Sequence, residues 1–204
     1  MKDEVFASVG DSLGRNQMES VMCLLAKVEE LKWYRDATFH TTAWYFSSYN
    51  FTVAFIWSPF LVQPETPTVD THSVRPIRLH LDIPDNVWVN RYHEFDYVLI
   101  GDGAGLISLQ YYWRTALSLV VTSRWLELIY MNPIHLEMLD VYHLSLPRPD
   151  GHPDKYRGVE GTAHDCLHWC LPGPVDAWND LMMAMILRHE DLLLRRSTLN
   201  IVSV

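Results

Sequence analysis

Near its carboxyl end the chain carries GTAHDCLHWCLPGPVDAW, from Gly161 to Trp178, in which Asp165 and His168 stand three residues apart and Cys166 and Cys170 enclose Trp169. Four chemistries fit such a loop: a metal site, a redox site, the acid and base of a catalytic triad, or a disulfide-braced turn. A metal site would draw on His164, Asp165, Cys166, His168 and Cys170, but zinc ligands usually come as two separated pairs and no second cysteine pair exists, so no metal is expected. A dithiol redox motif needs two residues between its cysteines, whereas Cys166 and Cys170 are four positions apart. An acid beside a histidine suits proton transfer, the histidine taking a serine proton while the acid fixes its tautomer. With ten histidines in the chain, one Asp-x-x-His pair is weak alone.

A serine to be served by that pair stands near the amino end, in VGDSLGRNQ from Val9 to Gln17. Ser12 follows an apolar run and opens a helical pattern, which exposes its hydroxyl at a sheet edge beside the free N–H groups of a helix start. Gly10 and Asp11 in the same turn, and Arg15 and Asn16 one helical step further on, are candidates to hold the oxyanion or the substrate. Asp11 or Ser12 serves equally as a helix N-cap, and Arg15 and Asn16 as solvated helix residues, so both readings stand. GDGAG around Gly103 lacks the lysine of a phosphate loop and the spacing of a dinucleotide fingerprint. RPDGHPDKY, from Arg148 to Tyr156, reads as a polar turn in which His152 is structural. Asn50-Phe51-Thr52 has the form of a glycosylation acceptor but falls inside an expected strand and matters only in a secreted chain.

These residues need elements to position them. EVFASVGDS followed by LGRNQMESVMCLLAKVEELKW reads as strand, tight turn and helix, with Met18, Val21, Met22, Leu25, Val28 and Leu31 on one face. YNFTVAFIWSPFLV, RPIRLHLDIP and FDYVLI read as buried strands, and PDNVWVNRYHEF between the last two as a helix capped by Asp85. VDAWNDLMMAMILRHEDLLLRR makes a final helix with Asp176 near its start, and Trp169 and Trp178 are placed to pack the loop before it. Strand and helix alternate, which predicts a three-layer α/β/α fold with a mostly parallel sheet and ligands at the strands' carboxyl ends.

The 204 residues make one ordinary domain with a real core. A net charge of −9 argues against nucleic-acid binding. No window approaches the length of a membrane span, the run from Leu117 to Met131 being broken by Arg124 and Glu127. Met1 to Glu4 carries no apolar signal region. Three cysteines, Cys23, Cys166 and Cys170, cannot all pair within one chain.

Together VGDSLGRNQMESVMCLL, YNFTVAFIWSPFLV and DCLHWCLPGPVDAWNDLM, supported by RPDGHPDKY, resemble the plant trichome-birefringence-like polysaccharide O-acetyltransferases of the PC-esterase group. The resemblance implies an esterase-like α/β fold related to the GDSL/SGNH hydrolases, with Ser12 as nucleophile and Asp165 and His168 as acid and base. It implies transfer of acetyl, through an acetyl-serine, from a donor such as acetyl-CoA to a hydroxyl of xylan, mannan, xyloglucan or pectin, with no bound cofactor. It also implies a Golgi enzyme with an amino-terminal membrane anchor, and pairing of Cys23 and at least one of Cys166 and Cys170 with cysteines elsewhere. Residues 1–204 then form one partial acyl-esterase-like domain, lacking the anchor and the cysteine-containing amino-terminal region, with GDGAGLISLQYYW where the family continues Gly-His-Trp. An inactive glycan-binding remnant and an acetyl esterase using the same triad are the alternatives.

Overall fold

A computed structural model describes residues 3–38, 40–65, 78–101, 139, 141–153, 165 and 167–199, with no account of the side chains of 142, 143 and 191–199. GDGAG beyond Gly101, the apolar run to Pro133, His164 and Cys166 lie outside the described residues. Two compact units emerge, Met1–Ile134 and His135–Val204, and each is described by itself.

In the first unit β1 (Val5–Gly10) leads through Asp11 into α1 (Ser12–Leu25), the expected strand, turn and helix. α1 ends earlier than its sequence pattern suggests. Lys27 and Val28 bond back to Leu24 and Leu25 over three residues, which tightens and closes the last turn. The chain then forms β2 (Lys32–Arg35), β3 (Thr41–Phe46), β4 (Phe51–Trp57), β5 (Val62–Pro64), β6 (Leu79–Pro84), α2 (Asn86–Val89) and β7 (Tyr97–Ile100). Asp85 caps α2 as expected, accepting from the Val87 N–H at 3.1 Å.

The sheet runs β2-β3-β4-β1-β7. β1 pairs in parallel with both β4 and β7, while β3 pairs antiparallel with β4 and with β2. The fold is therefore α/β, but its sheet is mixed rather than mostly parallel. The physical reason is the four-residue turn between β3 and β4, too short for anything except an antiparallel return. RPIRLHLDIP also departs from expectation: β6 pairs with β5 in a separate two-stranded ribbon and is half-exposed along its length.

β1 is hydrogen-bonded on both sides and buried from Phe6 to Gly10, so it must be apolar or small on both faces. The register places Ser8 beside Phe55 and Val9 beside Ile56, and successive residues face opposite sides. Val9 and Ile56 pack with Leu61, Val62 and Trp88 from the ribbon and α2. Ser8 and Phe55 face α1, where an added Cβ on Gly14 would come within 3.7 Å and 3.6 Å of them. Leu61 holds a left-handed φ of 60°, which costs on the order of 1 kcal/mol. Two hydrogen bonds offset that cost, its carbonyl accepting both the Asp85 N–H at 3.0 Å and the Trp88 indole N–H at 3.2 Å.

The second unit contains α3 (Val141–Ser145) and α4 (Pro174–Leu199). Val175, Trp178, Asn179 and Met182 are buried at spacings of three and four, giving α4 one inward face. The Trp178 indole donates to Ser145 Oγ at 3.1 Å, tying α4 to α3. No helix among the described residues is long and apolar enough to cross a membrane.

Two glycines make opposite predictions. A Cβ at Gly10 would sit 2.9 Å from the carbonyl oxygen of Gly101, a backbone atom that cannot rotate away. Gly10→Ala is expected to destabilise the protein by about 1–3 kcal/mol in urea titration. Gly14→Ala meets only ordinary van der Waals distances inside a helix and is expected to stabilise it by about 0.5–1 kcal/mol.

Candidate active site

Asp11 is fully buried at the carboxyl end of β1 and caps α1, its Oδ1 accepting the Leu13 N–H at 2.9 Å and its carbonyl the Arg15 N–H at 3.0 Å. That occupation suits a cap better than a proton carrier. Ser12 is the first residue of α1 and half-buried. Its N–H precedes any carbonyl of the helical ladder, so the helix's own bonds do not use it. Gly10 is explained by packing: its carbonyl accepts the Ser58 N–H at 2.9 Å, and its α-carbon lies tight against Gly101.

Arg15 is exposed, 3.8 Å from Glu19 and 5.7 Å from the ring centre of Trp57. Asn16 turns the other way and is buried. Sequence reasoning left both open, and only Asn16 is drawn into the interior. Ser58 escaped it altogether. This wholly buried residue donates through Oγ to Asp85 at 2.6 Å and so joins the ends of β1 and β4 to the start of α2. Its only sequence signal was a serine standing between a buried strand and a proline.

In the second unit, Asp165 and His168 come together. Asp165 Oδ1 accepts the N–H groups of Leu167 at 3.1 Å and His168 at 3.0 Å, and the His168 ring presents Nδ1 to Oδ2 at 3.0 Å and Oδ1 at 3.2 Å. Burial works against ionisation of Asp165, but these backbone and side-chain hydrogen bonds, with the histidine's charge, outweigh it and hold its carboxyl down to about 2. An ionised carboxylate only accepts, so Nδ1 must carry the ring proton that faces it. In the neutral ring the lone pair then lies on Nε2, which is buried and meets no hydrogen-bond partner among the described residues. An unpaired buried acceptor costs about 1–3 kcal/mol.

The loop around the pair is braced by rings and backbone. The Gly151 carbonyl accepts the Cys170 N–H at 2.8 Å, and His152 Nδ1 donates to the His168 carbonyl at 2.8 Å. The His152 ring lies 3.9 Å from Trp169, which meets Trp178 edge-on at 5.7 Å. His152 thus has the structural role its turn suggested, and it acts on the main chain of His168. Sequence reasoning missed Gly151, where a Cβ would come within 2.8 Å of two Pro174 atoms and 3.1 Å of Trp169. Cys23 and Cys170 are exposed free thiols. Among the described residues no three histidine, cysteine, aspartate or glutamate side chains gather as a metal site.

A sequence profile described as "PC-Esterase: GDSL/SGNH-like Acyl-Esterase family found in Pmr5 and Cas1p" matches residues 1–119 and 120–185. The chain belongs to the PC-esterase family. Its trichome-birefringence-like resemblance holds among named relatives. Trichome birefringence-like 25 of Arabidopsis thaliana is 30% identical over 93% of this chain and 63% of its own length. Xyloglucan O-acetyltransferase 1 of Arabidopsis thaliana is 30% identical over 93% and 66%, and xyloglucan O-acetyltransferase 3 of Populus trichocarpa 27% over 93% and 70%. The chain spans less than two thirds of the first of these PC-esterase relatives. That alignment runs over 295 positions against 204 residues, so the relative carries internal stretches with no counterpart here.

The Asp165 carboxyl gives a pH prediction. Its native value lies below the ordinary 3.8, so folding favours the ionised form; the stabilisation is complete well above 3.8 and disappears as pH falls through about 2. In urea titrations the gap between the native protein and Asp165→Asn should be full near neutrality and shrink steadily below pH 4. A gap independent of pH would contradict the carboxylate's role in holding the loop.

Proposed function

We propose that this chain is a partial acyl-esterase-like catalytic domain that transfers acetyl groups to a wall polysaccharide, with Ser12 as nucleophile, His168 as base and Asp165 as its positioning acid. The observation that carries the reading is the Asp165–His168 pair, a carboxylate fixed on Nδ1 with Nε2 buried and without a partner among the described residues. It is supported by the Gly-Asp-Ser turn at a helix start and by the relatives' names. Ser12 belongs to the first unit and the pair to the second; the reading requires the working enzyme to bring Ser12 Oγ within hydrogen-bond reach of Nε2.

In the first half-reaction Ser12 Oγ attacks the acetyl carbonyl of the donor and its proton passes to His168 Nε2. The bond from carbonyl carbon to carrier breaks, the carrier leaves with that proton, and acetyl-Ser12 remains. The N–H of Ser12 contributes to holding the oxyanion. In the second half a sugar hydroxyl attacks the acetyl-serine, His168 takes its proton, and the proton returns to Ser12 Oγ as the ester breaks. Water in place of the sugar makes the same site an acetyl esterase. Xyloglucan stands first among acceptors because it is in the relatives' names, and acetyl-CoA is the donor to try first. The setting we propose is the Golgi lumen, with a membrane anchor in the full-length protein.

A second reading, a glycan-binding remnant without transfer, is favoured by the aligned stretches that have no counterpart here. One assay separates these readings: the chain with an acetyl donor and a xyloglucan oligosaccharide, products resolved by mass. Acetylated oligosaccharide is expected from the native chain, with loss to background in Ser12→Ala and a fall on the order of 10⁴-fold in Asp165→Asn. Acetate alone would identify the esterase, oligosaccharide binding without either product the remnant, and full activity in Ser12→Ala would refute the nucleophile assignment.

A further inference from the structure

We infer that Asn50 accepts an N-linked oligosaccharide, an inference that rests on the lumenal setting proposed above. Asn50-Phe51-Thr52 is the sole Asn-x-Ser/Thr tripeptide in the chain. Its sequence suggested a strand interior, where a glycan has no room. The structure corrects this: Asn50 closes the exposed turn of residues 47–50, with a left-handed φ of 47° that asparagine tolerates well, and β4 begins only at Phe51.

The turn is built firmly. The Glu29 carboxylate accepts the N–H groups of Ser47 and Ser48 and the Ser47 hydroxyl, and the Tyr49 carbonyl accepts the Asp3 N–H at 3.0 Å. The Asn50 side chain is oriented too, Oδ1 accepting the Tyr45 hydroxyl at 3.0 Å and Nδ2 donating to Asp3 Oδ1 at 3.1 Å. An amide nitrogen carries two N–H bonds, and the second meets no acceptor among the described residues.

That spare N–H is the one the modification consumes. A bond forms between Nδ2 and the anomeric carbon of an oligosaccharide carried on a polyprenyl pyrophosphate, the bond from that carbon to the pyrophosphate oxygen breaks, and the amide proton leaves to base with the lipid pyrophosphate as leaving group. The modified amide keeps one N–H and its Oδ1, the one donor and one acceptor that the bonds to Asp3 and Tyr45 use. Tyr49 precedes the asparagine in the chain and Tyr45 reaches it through its hydroxyl, and both side chains are exposed, so the surroundings leave room for a sugar.

The test expresses the full chain in a eukaryotic host behind a secretion leader, with a carboxyl-terminal tag whose own acceptor tripeptide reports entry into the lumen. Peptide mapping after endoglycosidase treatment should find Asn50 occupied in the native sequence and in Thr52→Ser. Occupancy should be lost completely in Asn50→Gln and Thr52→Ala, with the tag occupied in all four. A bare Asn50 beside an occupied tag overturns the inference. The lumenal reading is tested apart, by the native gene without added leader: a cytosolic product overturns that reading, while the acceptor chemistry of Asn50 is decided by the leader-driven chains.

Discussion

The first unit depends on one constraint, the parallel pairing of β1 with strands on both sides. A strand so placed has no edge and no solvent face, so Phe6 to Gly10 are buried and every residue is apolar or small. The chain cannot turn back within that layer. It leaves at the carboxyl end, where Gly10 passes tight against Gly101 and the buried Asp11 caps a helix that begins with Ser12. Ser58 and Asp85 secure the neighbouring strand end at the same level. The position of Ser12 beyond the carboxyl end of a central strand is thus a by-product of how the core must be packed.

The second unit works through a different economy, in which a buried charge is tolerated because hydrogen bonds surround it. Asp165 takes two backbone N–H groups and the His168 ring, and these lower its carboxyl to about 2 against the opposing effect of burial. The carboxylate does two jobs at once, binding the N–H groups of Leu167 and His168 and choosing the histidine's tautomer. The loop is held by His152, Trp169, Trp178 and the Gly151 carbonyl. Its exposed Cys170 thiol takes no part in that brace.

Much of this was legible in the sequence, for reasons that differ by element. β1, α1 and α4 were readable because period and caps agree: an apolar run, then Gly-Asp-Ser, then apolar residues at three and four. β2 and β3 were not, since KWYR is exposed along an edge and TTAWYF runs into a turn made by Ser47 and Asn50 without any glycine. The same blindness placed Asn50 inside a strand. The Asp165–His168 pair was visible as a spacing, but its orientation was not. Three hydrogen-bond donors converging on one carboxylate is a fact of the loop's path, which no spacing carries. His152 was legible as structural only in kind, because its contact is with a main-chain carbonyl sixteen residues away.

The central claim is that one serine is activated by one histidine, and covalent labelling tests it most directly. The chain is treated with a fluorophosphonate, an electrophile that bonds to activated serines, and the adduct is located by peptide mapping. The account predicts a single adduct on Ser12 that disappears in His168→Ala while Ser12 remains. Labelling at another serine, or equal labelling of Ser12 in His168→Ala, would contradict it.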